Sequence, residues 1–131
     1  MMPDCKARRN VLIVDSEPAT LLSLTYVLRR DGVAVTTATT VERAEKALNN
    51  YVYDLALIDV RGASVLDTGG LELLSFIKRK WPRTKVVVMS ASEGEEVRND
   101  AYRRGAELFF LKPFSIDQLT QLLQKTAADA M

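Results

Sequence analysis

Histidine is absent from this chain, and cysteine occurs once. Without an imidazole there is no Ser-His-Asp or Cys-His nucleophile pair, no histidine metal ligand and no phospho-histidine relay. Any chemistry falls to carboxylates, hydroxyls, lysine or arginine. Cys5 has no partner with which to close an internal disulfide. No apolar run approaches the ~20 residues that a membrane-spanning helix needs. Met1 to Arg9 also lacks the apolar stretch of a signal peptide, so a cytoplasmic protein is expected. A charge excess is missing too: the formal net charge is +1. A domain that grips DNA or an anionic membrane unaided carries a clear basic surplus, so neither is expected as a direct partner. No glycine-rich phosphate loop follows any strand-like run, which argues against nucleotide hydrolysis.

What is present is a packed core. The 131 residues are 47% apolar, enough for one domain with one core. Four short apolar runs each end in a reactive polar residue. Asn10 to Val14 runs into Asp15, Asp54 to Ile58 into Asp59, Lys85 to Met89 into Ser90, and Glu107 to Leu111 into Lys112. A fifth and less apolar run, Val33 to Thr37, reads as an edge strand. Between the runs lie helical stripes. They are Leu21, Leu24 and Leu28; Val41, Ala44 and Leu48; Leu71, Leu74 and Ile77; Val97 and Ala101; Ile116, Leu119 and Leu123. Pro18 suits a first helical turn, and Gly32 and Gly105 suit helix ends. Trp81-Pro82 closes the third helix. Thr39 with Glu42, Ser92 with Glu95 and Ser115 with Gln118 have capping-box spacing.

Except in the edge run, the strands are apolar along their length, as in sheets covered on both faces. The pattern predicts a doubly wound (βα)5 parallel α/β sheet over residues 10–126, with tails over 1–9 and 127–131. Ligands bind such sheets beyond the carboxyl ends of the strands. Two carboxylates, a hydroxyl and an ammonium at that edge point to a phosphate or metal site.

Val11 to Pro18, Leu57 to Asp59, Val88 to Ala91 and Phe109 to Phe114 together resemble the receiver domain of two-component response regulators. The resemblance runs from about Asn10 to Thr126. It implies a flavodoxin-like fold with strand order 2-1-3-4-5, which sets Asp15 beside Asp59. It also implies that Asp59 accepts a phosphoryl group from the phospho-histidine of a sensor histidine kinase or histidine phosphotransfer protein. Mg²⁺ would be held by Asp15, Asp59 and the backbone carbonyl of Arg61. Lys112 would pair with Asp59 at rest and with the phosphoryl group afterwards. Ser90 would bond the phosphoryl oxygen, and Phe109 would change rotamer with it. Arg61 and Ser92 occupy positions that tune phosphoryl lifetime, and the Lys112-Pro113 bond is expected to be cis. The surface of the fourth helix, fifth strand and fifth helix would be switched, and a homodimer through it is compatible. Apart from promoting its own phosphorylation and dephosphorylation, the domain is expected to be no enzyme. Asp15 to Ala19 lacks the second aspartate of the aspartate-nucleophile phosphatases.

Two departures stand out. Ser16 places a neutral oxygen where the family has a second metal-binding carboxylate, so Mg²⁺ affinity should fall unless Glu17 substitutes. The loop from Val60 to Gly70 lacks the usual proline and is longer than the family's. Both departures leave open an alternative, a degenerate receiver that binds partners without phosphorylation.

Overall fold

The computed structural model describes residues 9–29, 33–60, 69–91, 95–112, 117, 118 and 121. The element order is β1 (Arg9–Val14), α1 (Pro18–Leu28), β2 (Val33–Ala38), α2 (Val41–Asn50), β3 (Leu55–Asp59), α3 (Gly69–Lys80), β4 (Lys85–Ser90), α4 (Glu95–Arg103) and β5 (Leu108–Leu111). All strand pairs are parallel, in the order β2-β1-β3-β4-β5. The order is the one that the resemblance implies, and β2 stands at an edge, as its less apolar run predicts. Gly32, Ser115, Ile116, Leu119 and Leu123 lie outside the described residues; Asp117, Gln118 and Gln121, in the same stretch as the fifth helical stripe, are helical. Among the described residues no helix is long and apolar enough to cross a membrane.

The sheet divides the core in two. Strand side chains alternate between faces. Leu12, Ala56, Ile58, Val86 and Val88 pack with Ala44, Leu48, Leu74, Ile77 and Val97 from α2, α3 and α4. Val11, Ile13, Leu55, Leu57, Val87 and Met89 pack with Leu21, Leu24 and Leu28 of α1. Full burial of each large aliphatic side chain stabilises by about 2 kcal/mol. These continuous Val/Ile/Leu runs are buried on both faces in β1, β3 and β4. β5 is only half-buried, although its sequence is equally apolar. It forms the other edge of the sheet and has a neighbour on one side alone.

Local chemistry sets the helix ends. Pro18 opens α1, as expected. α2 is capped by Thr40 rather than Thr39. Thr40 has extended backbone angles and its Oγ1 accepts the Arg43 N–H at 3.1 Å. Val41 is thus the first helical residue and Arg43 stands at the third position, so Glu42 has no reciprocal capping geometry. Glu42 still favours the helix from its first turn through the dipole. After α4 the chain reverses at Gly105, whose φ is +111°, and a Cβ there would stand 3.0 Å from the Lys78 side chain. Lys78 in turn donates to the carbonyls of Pro82 (2.9 Å) and Thr84 (2.8 Å), closing the end of α3.

The strand starts are stitched together. Asn10 and Asp54 exchange bonds, Asn10 N–H to Asp54 Oδ2 at 2.8 Å and Asp54 N–H to the Asn10 carbonyl at 2.9 Å. Thr84 Oγ1 donates to the Tyr53 carbonyl at 2.7 Å, and Lys85 N–H to the Asp54 carbonyl at 3.0 Å. Tyr53 itself is buried, and among the described residues its hydroxyl has no hydrogen-bond partner. An unsatisfied buried hydroxyl costs stability. Tyr53→Phe is therefore expected to stabilise the fold by about 1 kcal/mol and raise Tm by about 3 °C. A lower Tm in a thermal melt would contradict this account.

Candidate functional site

Strand register assembles the site. Val14 lies opposite Ile58, Asp59 opposite Met89, and Ser90 opposite Leu111. The residues at or just past these positions are Asp15, Asp59, Ser90 and Lys112, so the four strand-end residues gather at one edge. Backbone bonds hold them in place. Asp15 N–H donates to the Ala38 carbonyl (3.0 Å), Val60 N–H to Met89 (2.8 Å) and Lys112 N–H to Ser90 (2.8 Å).

Lys112 is the centre of the cluster. Its Nζ lies 2.6 Å from Asp15 Oδ2 and 2.9 Å from Asp59 Oδ1. The Asp15 side chain is fully enclosed, with its other oxygen accepting the Glu17 N–H at 3.0 Å. Asp15 therefore accepts from the N-cap residue of α1 and from the lysine at once. Asp59 is 9% exposed and Lys112 17%. Burial is the largest single influence on the Lys112 ammonium and works to lower its pKa. The hydrogen bonds and charges of Asp15 and Asp59 together outweigh it, so the net shift is upward from the usual lysine value. Charge-assisted bonds of this length in a partly desolvated site are among the strong ones.

Ser90 is completely buried at the end of β4. Phe109, opposite Val88, is half-buried and packs on the core between the sheet and α4. Arg61 and Ser92 lie outside the described residues, as do Pro113 and its bond to Lys112.

A cavity of about 420 Å³ opens beside the carboxylates, with Asp15, Ser16, Thr39, Thr40, Asp59 and Gly70 among its lining residues. Ser16 thus faces the space that the missing carboxylate would face. Glu17, the other candidate, is exposed and is not among the residues that line the cavity. Thr39 and Thr40 were not anticipated as site residues. They follow the fifth strand end, that of β2, and the same strand-end rule applied to this less apolar run points to them. Gly70 was also missed as a site residue. A Cβ on it would stand 3.0 Å from the Asp59 carbonyl oxygen, so the start of α3 lies flush against that residue's backbone.

Two carboxylates and a hydroxyl form an all-oxygen donor set, which suits a hard cation. Mg²⁺ typically takes one or two carboxylates and keeps several waters. Among the described residues no group of three acidic or cysteine side chains gathers to hold a metal, so this set offers such an ion few protein ligands. Ser16→Asp adds a third carboxylate to the same wall. It is expected to tighten Mg²⁺ binding by about tenfold, because affinity at oxygen sites follows ligand charge. Calorimetric titration giving equal affinity for both proteins would show that position 16 does not meet the ion.

Residues 11–124 match the family described as the response regulator receiver domain. The chain is 34% identical over 109 residues to the alginate biosynthesis transcriptional regulatory protein AlgB of Pseudomonas aeruginosa, covering 83% of this chain and 24% of that protein. It is 31% identical over 116 residues to the DNA-binding transcriptional regulator NtrC of Proteus hauseri, covering 88% of this chain and 24% of that one. The chain thus spans about a quarter of the length of these curated relatives. Among solved structures, the receiver domain of NtrX from Brucella abortus is similar at a TM-score of 0.78 and 32% identity, covering 90% of this chain and 98% of that one.

Proposed function

The chain belongs to the response regulator receiver domain family, and on that footing we propose that Asp59 is the phosphoryl acceptor of a two-component switch. The observation that carries this reading is the Lys112 ammonium clasped between Asp15 and Asp59 at the strand ends. Such a clasp holds a nucleophilic carboxylate at the mouth of a polar cavity with a counter-charge already in place.

In the reaction, an Asp59 oxygen attacks the phosphorus of a phospho-histidine on a sensor kinase or phosphotransfer protein. The new O–P bond forms as the N–P bond breaks, and the partner's imidazole leaves with the electron pair and takes up a proton. The difficulty is electrostatic: unit charges ~4 Å apart repel by ~4 kcal/mol at an effective dielectric of 20. Lys112 offsets part of this and transfers its ammonium from the carboxylates to the new phosphoryl oxygens. Asp15, Asp59 and Ser16 would hold Mg²⁺, which supplies further positive charge against the incoming phosphate. The Ser90 hydroxyl bonds a phosphoryl oxygen, and Phe109 follows it. The added charge of about −1.5 to −2 thereby biases the surface formed by α4, β5 and the segment beyond.

The test is intact-mass measurement after incubation with acetyl phosphate or phosphoramidate and Mg²⁺, with a gain of one phosphoryl mass expected. A folded protein that gains nothing across donors and divalent cations overturns the reading. Ser16 in the cavity wall favours that outcome's companion reading, a receiver that binds partners without being phosphorylated.

A further inference from the structure

Arg104, just past the end of α4, reaches across to α3. Its Nε donates to Asp100 Oδ1 at 3.0 Å, and its Nη1 to the Leu71 carbonyl at 3.2 Å and to Ser75 Oγ at 3.0 Å. A solvent-facing Arg–Asp pair four residues apart is common on helices and contributes little. The two contacts to α3 are different in kind. They engage a backbone carbonyl and a hydroxyl 33 and 29 residues away, both through Nη1, while Nε keeps its bond to Asp100, a division of donors that the planar guanidinium fork allows.

Leu71 directly follows Gly70. A Cβ on Gly70 would stand 3.0 Å from the Asp59 carbonyl oxygen and 3.0 Å from Val60 Cγ2. The first turn of α3 therefore lies against the backbone of Asp59 at Gly70 and is held by Arg104 at the next residue. Asp100 anchors the same guanidinium to α4.

We propose that Arg104 is a positioning residue for Asp59. It clamps the first turn of α3, and through Gly70 that turn fixes the height at which the Asp59 carboxylate meets Lys112. The proposal rests on Asp59 being the acceptor, and it makes the position of α4 and the reactivity of Asp59 two aspects of one packing arrangement. Arg104 touches neither donor nor phosphoryl group, so its loss changes the rate of transfer and leaves donor binding alone.

The experiment compares wild type, Arg104→Met and Arg104→Lys, loaded over a range of acetyl phosphate concentrations with Mg²⁺, alongside amide exchange followed by mass spectrometry. Arg104→Met is expected to lower the maximal loading rate about fivefold, the size that a coupling of this kind reaches. The half-saturating donor concentration should stay unchanged, and exchange across residues 71–75 should be faster. Arg104→Lys, which keeps one charged donor, recovers part of the rate. An unchanged maximal rate, or unchanged exchange at 71–75, overturns the proposal. If wild type takes no label, the acceptor reading falls, and the exchange measurement alone decides whether the clamp exists. Should Arg104→Met not fold, Ser75→Ala removes one of the three partners and is expected to show the same changes at about twofold; no change there overturns the proposal equally.

Discussion

Asp59→Asn is expected to take up no phosphoryl group under conditions that load the wild type. An amide keeps the shape of the carboxylate and can still bond Lys112 through its oxygen. It is not a nucleophile of comparable strength, because its lone pair is delocalised and its charge is gone. The neighbouring Asp15 is no substitute. Its side chain is fully enclosed, and its two oxygens are committed to Glu17 N–H and Lys112, whereas Asp59 is the more open of the two. Asp15→Asn should therefore still gain label, only more slowly. The Asp59→Asn fold should survive, since Lys112 keeps one charged partner. A stability change within about 1 kcal/mol is expected by urea titration. Equal mass gain in Asp59→Asn and wild type would move the acceptor elsewhere.

Lys112→Met is expected to lose about 3 kcal/mol of stability at neutral pH, the usual size when one member of a buried charged cluster is removed. The methionine fills similar space but leaves two enclosed carboxylates without their shared cation. The loss should be much reduced in the double variant Lys112→Met with Asp15→Asn, which removes the repulsion as well. Additive losses in that double-mutant cycle would mean that the 2.6 Å contact between Lys112 and Asp15 carries no coupling energy. The pH dependence has a definite sign. The folded-state pKa of Lys112 lies above the usual 10.5, so its contribution is complete below that value and is lost as the pH climbs through the higher folded-state value. The stability gap between wild type and Lys112→Met should hold steady from neutral pH upward and close only in strong alkali. A gap that closes near neutrality would assign the effect to another group.

Much of this was legible in the sequence. The gathering of Asp15, Asp59, Ser90 and Lys112 follows from apolar runs that each end in one polar residue, because strand ends in a parallel sheet share an edge; the strand order came from the resemblance to receiver domains, since apolar runs alone do not fix it. Caps were less legible: Thr39 and Thr40 are adjacent threonines, and which one caps α2 is decided by where Val41 enters the core. Contacts between distant segments were not legible at all. Nothing in the spacing of Leu71, Ser75, Asp100 and Arg104 announces a shared hydrogen-bond network. Nor does the sequence say that Lys112 reaches Asp15 as well as Asp59, since that depends on the twist and register that bring β1 and β5 to opposite sides of β3 and β4.

The bonds among Asn10, Tyr53, Asp54, Thr84 and Lys85 have a mechanical meaning. They make the sheet a plate clamped along one margin, while the charges sit on the other. Five residues of extended chain separate the two margins, about 16 Å of lever arm. Trp81, whose carbonyl accepts the Thr84 N–H at 2.9 Å, is mounted at the clamp. Its fluorescence is thus a natural gauge of global unfolding and a deaf one for events at the opposite margin, where Phe109 and Leu111 are the residues in a position to feel them.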